Sequence, residues 1–183
     1  MKIERVWAMP NCETFSIPPI TDFINNWLPQ GETIDPFARN SKLAKITNDL
    51  DPQTSAEYHL EAIDFIKKFG TESIDGALID PPYTPRQISE VYKKLGKTVN
   101  METTQMSYWG DINNELARVI RPGGRVLSFG WNSNGLGKNR GFDLTSILLV
   151  AHGSHHNDTI CVAETKIQSR LIFRVGMEPQ KVE

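Results

Sequence analysis

Gly76-Ala77-Leu78-Ile79-Asp80-Pro81-Pro82-Tyr83 runs from an apolar segment into a stiff turn, and Thr84-Pro85-Arg86-Gln87 then opens a helix. Gly76–Ile79 has no polar residue, as expected of a strand buried on both faces of a parallel sheet. Asp80 ends that run with a carboxylate, and two successive prolines fix the backbone beyond it. Thr84 supplies a helix N-cap, Pro85 the first helical position and Gln87 the capping-box partner. Ile88, Val91, Tyr92 and Leu95 follow at helical spacing, and Gly96 closes the helix. A buried strand leading straight into a capped helix places Asp80 at the carboxyl edge of a sheet, where open α/β folds hold their ligands.

Working outward, five more runs have strand character: Thr33–Phe37, Ala44–Asn48, Arg125–Phe129, Leu144–Val150 and Thr159–Ala163. A second helix is predicted from near Asp111, with Ile112, Leu116, Val119 and Ile120 as its buried stripe. Arg121-Pro122-Gly123-Gly124 stops it directly ahead of the next strand. Strands separated by helical patterns imply a mostly parallel α/β sheet. The last two strands differ, because Ala151–Asp158 is too short for a crossover helix and predicts an antiparallel hairpin. Only Ala38–Leu43 separates the first two strands, whereas a crossover with a helix needs ~10–12 residues. The first crossover helix is therefore expected to be reduced to a loop.

The chain has 183 residues, with 39% hydrophobic and 23% charged, which fits one globular domain, 1–183, with residues 1–30 as an N-terminal arm. No stretch approaches the ~18 apolar residues that span a bilayer, and Met1-Lys2-Ile3-Glu4-Arg5 leads into no apolar signal core. A cytoplasmic protein without a membrane partner is expected. Cys12 and Cys161 are too few for a disulfide framework. A net charge of −2 argues against coating nucleic acid non-specifically, so any such partner must meet a local basic patch.

The residues around Asp80 suit one kind of chemistry. A carboxylate and a proline carbonyl can accept the two N–H groups of an exocyclic base amine, and an aromatic ring can stack on an extruded base. Asp80-Pro81-Pro82-Tyr83 resembles the Asp/Asn-Pro-Pro-Tyr motif of the S-adenosylmethionine-dependent amino-methyltransferases, the N6-adenine and N4-cytosine methylases of nucleic acids. The resemblance implies a Rossmann-like class I methyltransferase fold, S-adenosylmethionine as cofactor, and Asp80, Pro81, Pro82 and Tyr83 as the catalytic residues. It extends to weaker pieces in a matching order. Ile34-Asp35-Pro36-Phe37 is similar to the start of the cofactor motif, giving Asp35 the methionine amino group and Phe37 a packing role. Asp49 would bind the ribose hydroxyls, and Glu61-Ala62 would face the cofactor adenine. Phe15, Ile17 and Pro18 belong to a segment resembling the one that folds over the methionine end.

Each borrowed role also has a purely structural reading. Asp35-Pro36 can end a strand, Asp49 can serve a turn, Glu61 can be a solvated helix residue, and Phe15–Pro19 can be a packed arm. The chain departs from the family pattern in one place. Ala38-Arg39-Asn40-Ser41-Lys42 contains none of the glycines that let the backbone approach the cofactor.

No separate target-recognition domain is expected, since the insertion Lys97–Gly110 is too short for one. Target choice is then lax, or falls to a second copy or a partner protein. Arg86, Lys93, Lys94 and Lys97 are candidate phosphate contacts beside the catalytic turn, with Lys138 and Arg140 as a second patch. His152, His155, His156 and Asp158 do not follow paired zinc-ligand spacing, so no metal is assigned. No Gly-Lys-Ser/Thr phosphate loop exists, and neither cysteine follows a proline as a cytosine-C5 nucleophile would. The expected activity is methylation of adenine N6, in DNA more than RNA. The alternatives are N4-cytosine or RNA adenine methylation, or a catalytically weak binding module with this fold that serves a partner.

Overall fold

The computed structural model describes residues 1–82, 92–93, 106–153 and 156–167. Its described strands form one seven-stranded sheet. In chain order the elements are β1 (Lys2–Trp7), a 3₁₀ turn (Thr14–Ser16), α1 (Pro18–Trp27), β2 (Thr33–Asp35), β3 (Ile46–Thr47) and α2 (Ala62–Lys67). They continue with β4 (Ile74–Ile79), α3 (Met106–Val119), β5 (Ile120–Gly130), a 3₁₀ turn (Lys138–Arg140), β6 (Phe142–Ala151) and β7 (Thr159–Lys166). The strand order is β1-β6-β7-β5-β4-β2-β3. β7 lies antiparallel to both β5 and β6, and every other pairing is parallel. The mostly parallel sheet and its closing hairpin are those expected from the sequence.

Every residue of β4 is buried, as its unbroken apolar run requires of a central parallel strand. Alternate side chains enter different layers. Ala77 and Ile79 join Phe65 and Ile66 of α2 with Ile112 and Leu116 of α3, whereas Leu78 joins Ile20, Phe23 and Ile24 of α1. Helices therefore cover both faces. The predicted stripe Ile112, Leu116, Val119 and Ile120 is fully buried, and α3 starts five residues before Asp111, at Met106. Most of the helix predicted after Tyr83 lies outside the described residues.

Two features differ from the sequence expectation. The stop Arg121-Pro122-Gly123-Gly124 lies within β5 as a bulge, where Ile74 pairs with Ile120 but Gly76 pairs with Arg125. Gly123 has φ 81°, and a Cβ on Gly124 would sit 2.8 Å from the Asp75 carbonyl oxygen, so both glycines are dictated by the bend. The second feature is that residues 1–30 contain a strand and a helix. β1 runs parallel to β6 at the sheet edge, from Lys2 opposite Ser146 to Trp7 opposite Ala151. Nearly all of β1 is exposed, so it shows no apolar alternation, and backbone pairing holds it together with Val6, which packs against the α1-side core.

The connection from β2 to β3 contains turns and no helix, as the six-residue spacing predicts. The loop closes through backbone bonds from Ala38 N–H to the Asn48 carbonyl and from Ser41 N–H to the Ala38 carbonyl, each 2.8 Å. Asn48 is buried and secures the loop with its side chain, donating to the Pro36 and Leu60 carbonyls and accepting the Leu60 N–H.

Candidate active site

β2 and β4 are hydrogen-bonded neighbours, with Ile34 opposite Ala77, so their carboxyl ends bring Asp35 and Asp80 to the same edge. Asp35 ends β2 and is fully buried. Its Oδ1 accepts the Phe37 N–H at 2.9 Å, while its Oδ2 has no hydrogen-bond partner among the described residues. Burial pushes the Asp35 carboxyl well above the usual carboxylate range. The Phe37 N–H pulls it back, and the charges of Asp80 and Asp49 push it further up. A buried acceptor among like charges is one that a cationic donor would stabilise.

A cleft of about 280 Å³ lies along this edge. Phe15, Ser16, Phe37, Arg39, Lys42 and Asp80 are among the residues that line it. Phe15 is held in place, because its ring packs 4.8 Å from Phe129 and Thr21 Oγ1 donates to its carbonyl at 2.6 Å. Phe37 is braced by Trp109, with ring centroids 6.1 Å apart. Asp80 is half-buried, and its charge also reaches Cys161 on β7, whose thiol is pushed up by burial first and by Asp80 second. Pro81 and Pro82 are half-buried.

The cleft thus unites Phe15, Phe37 and Asp80, with Asp35 at the adjoining strand end. Ile17 instead packs into the α1 core, and Pro18 is an exposed residue at the start of α1. Asp49, after β3, accepts the Arg39 N–H at 3.0 Å and the Asp51 N–H at 2.9 Å. Glu61 is the N-cap residue of α2 and accepts the Tyr92 hydroxyl at 2.8 Å, and Ala62 is buried beneath it. Burial, then the Glu61 charge, pushes the Tyr108 phenol up to about 12, and Tyr92 is raised by burial and its bond to Glu61. Tyr92, read from the sequence as a stripe residue, is therefore a polar partner of Glu61.

Tyr83, Arg86, Lys94 and Lys97 lie outside the described residues, as does His155. Lys93 and Lys138 are exposed. Arg140 is half-buried and donates to Asn114 Oδ1 and to the Leu136 carbonyl, both at 3.1 Å, so part of its donor capacity serves the fold. Among the described residues no group of three His, Cys, Asp or Glu side chains could hold a metal ion, and no helix is long and apolar enough to cross a membrane.

Sequence reasoning passed over Arg39 except as a missing glycine. Its φ is 50°, in the left-handed region that costs a side-chain-bearing residue roughly 1–2 kcal/mol. The turn from Ala38 to Ser41 places this residue second, where a positive φ ordinarily selects glycine. Hence the backbone adopts a conformation suited to glycine without having one. No local pattern in the sequence could have revealed the sign of that angle.

No protein-family model and no curated protein sequence matches the chain. Solved structures do resemble it. One is 1,6-didemethyltoxoflavin-N1-methyltransferase from Burkholderia thailandensis with bound 1,6-didemethyltoxoflavin and S-adenosylhomocysteine. It is 12% identical, with a TM-score of 0.50 over 74% of this chain and 71% of that one. Another is TrmN from Thermus thermophilus, 18% identical with a TM-score of 0.53 over 82% of this chain, which spans 49% of TrmN. At these identities the likeness is one of fold: the chain has the Rossmann-like methyltransferase architecture, a mixed seven-stranded sheet with an antiparallel β6–β7 hairpin.

Proposed function

We propose that this protein transfers a methyl group from S-adenosylmethionine to the exocyclic N6 amine of adenine in DNA. The observation that carries the proposal is that Asp80 lines a cleft with Phe15 and Phe37, while Asp35 on the adjacent strand has a buried oxygen without a partner among the described residues. When bound, S-adenosylmethionine supplies an electrophilic methyl group on a sulfonium. The residues present suit it: Asp35 Oδ2 would accept the ammonium of its methionine end, Phe15 and Phe37 would pack on its apolar surface, and Asp49 would meet the ribose. Neither structural neighbour's substrate is carried over, and adenine rests on the Asp80-Pro81-Pro82-Tyr83 motif.

Asp80 accepts one N–H of the base amine and the Pro81 carbonyl the other, which favours a pyramidal nitrogen with its lone pair directed at the methyl donor. Tyr83 stacks on the extruded base. Positioning of this kind accounts for several kcal/mol of barrier without a strong base. Tritiated methyl transfer to duplex DNA, single strands and RNA tests the proposal, repeated with Asp80→Ala. Transfer to DNA adenine is expected, with a loss of about a hundredfold or more in the variant, the scale of one positioned acceptor. A flat calorimetric titration with S-adenosylmethionine, together with no transfer to any nucleic acid, would overturn the assignment in favour of a non-catalytic binding module.

A further inference from the structure

Arg39 occupies a backbone conformation that glycine would adopt without strain, and its side chain makes a contact that glycine could not. Its Nη1 donates to the Cys12 carbonyl at 2.9 Å, across 27 residues of chain. Cys12 leads directly into Glu13, whose carbonyl anchors the 3₁₀ turn by accepting the Ser16 N–H at 2.9 Å. Glu13, Thr14, Phe15 and Ser16 all line the cleft, as does Arg39 from the β2–β3 connection. At Phe15 the segment is fastened to α1 through Thr21, and before Cys12 the chain is fastened to β6 by the Ala8 N–H on the Ala151 carbonyl at 3.0 Å. Cys12 lies between those two anchors, so the guanidinium grips the covering segment at its leading end. The grip is itself supported by Asp49, which holds the Arg39 N–H and so stabilises the left-handed turn from which the side chain reaches Cys12.

We infer that Arg39 is a positioning residue that clamps the segment 12–16 over the cofactor cleft, in place of the glycine-rich loop the cleft lacks. The inference rests on the reading of the cleft as an S-adenosylmethionine site, and it makes affinity depend on a side chain rather than on a closely approaching backbone. Two variants separate the roles. Arg39→Gly relaxes the backbone and removes the clamp, whereas Arg39→Lys keeps a cationic donor on a shorter, non-planar head.

The test measures amide hydrogen exchange of residues 11–16 in the unliganded chain, calorimetric affinity for S-adenosylmethionine, and the separation of KM from kcat. For Arg39→Gly, exchange at 11–16 should quicken and cofactor affinity fall about fivefold to tenfold, the worth of one solvent-exposed hydrogen bond. KM for the cofactor should rise with kcat unchanged, thermal stability should hold or improve, and Arg39→Lys should recover part of the affinity. Unchanged exchange at 11–16 in Arg39→Gly would overturn the clamp, as would wild-type affinity in that variant. If the wild-type chain itself binds no S-adenosylmethionine, the proposed function fails, and the exchange measurement still decides the clamp.

Discussion

Asp35 holds an ionisable group where burial favours its neutral form, and among the described residues only one of its oxygens has a partner. With the folded pKa raised above the unfolded value of about 3.9, the folded state binds the proton more tightly. Stability is then lost as pH rises from about 4 through the folded pKa. Asp35→Asn keeps an oxygen for the Phe37 N–H and removes the charge. It should therefore raise the thermal midpoint by a few degrees at pH 8, the effect of about 1 kcal/mol in a chain of this size, and the gain should vanish near pH 4. The same variant should lose about tenfold or more in S-adenosylmethionine affinity, because a charge-assisted bond of about 1.5–3 kcal/mol is gone. Scanning calorimetry across pH and titration calorimetry check both halves, and a lower midpoint at pH 8 would contradict this account. The sequence placed Asp35 at a strand end but could not show that one oxygen has no partner among the described residues.

At the scale of elements, the connection from β5 to β6 contains a 3₁₀ turn and no α-helix, and a buried carboxylate organises it. Glu164 on β7 accepts the N–H groups of Leu136 and Gly137 at 2.6 and 2.9 Å. Burial pushes its carboxyl up, and those N–H groups and Arg140 pull it back. Gly135 has φ 55°, and a Cβ there would lie 2.2 Å from Glu164 Oε2. Gly135→Ala should cost more than about 2 kcal/mol, from left-handed strain plus a displaced carboxylate. Glu164→Gln should cost about 1–2 kcal/mol, because one N–H acceptor survives; urea denaturation separates the two, and the reverse order would sink the argument. β7 performs a second such task. Lys166, buried on the same strand, donates to the Ala117 and Ile120 carbonyls at 2.8 and 2.6 Å and so closes the end of α3. Neither polar role could be read from a strand pattern that predicted only Thr159–Ala163.

For the whole molecule, the sheet separates two cores, and its strands contribute to them very unequally. Leu127 of β5 is fully buried among Leu78, Phe129 and the α1 side chains, while Ile3 of β1 is 57% exposed. Leu127→Ala should cost about 2–5 kcal/mol, and Ile3→Ala less than about 0.5 kcal/mol, as read from denaturant midpoints at unchanged slope. A comparable cost at both positions would mean that β1 bears on the core in a way its exposure does not show. Its attachment combines Val6 and Ala8, packed against the α1-side core, with polar links: beyond its ladder with β6, buried His152 joins the Ala8 carbonyl at 2.9 Å to Thr159 Oγ1 at 2.9 Å.

The sequence alone determined what local chemistry can determine. Gly76–Ile79 had to be a buried strand, Asp80-Pro81-Pro82 a rigid rim, Leu144 to Ala163 a hairpin, and Ala38–Leu43 a crossing without a helix, because each follows from periodicity, turn chemistry or residue count. The tertiary structure alone decided that β2 lies beside β4, which sets Asp35 next to Asp80. It also decided that Cys12 lies within reach of Arg39, and that an exposed N-terminal stretch completes the sheet edge. Those relations come from pairing between residues far apart in the chain, whose free energy is shared over whole elements and leaves no mark on the spacing of neighbours.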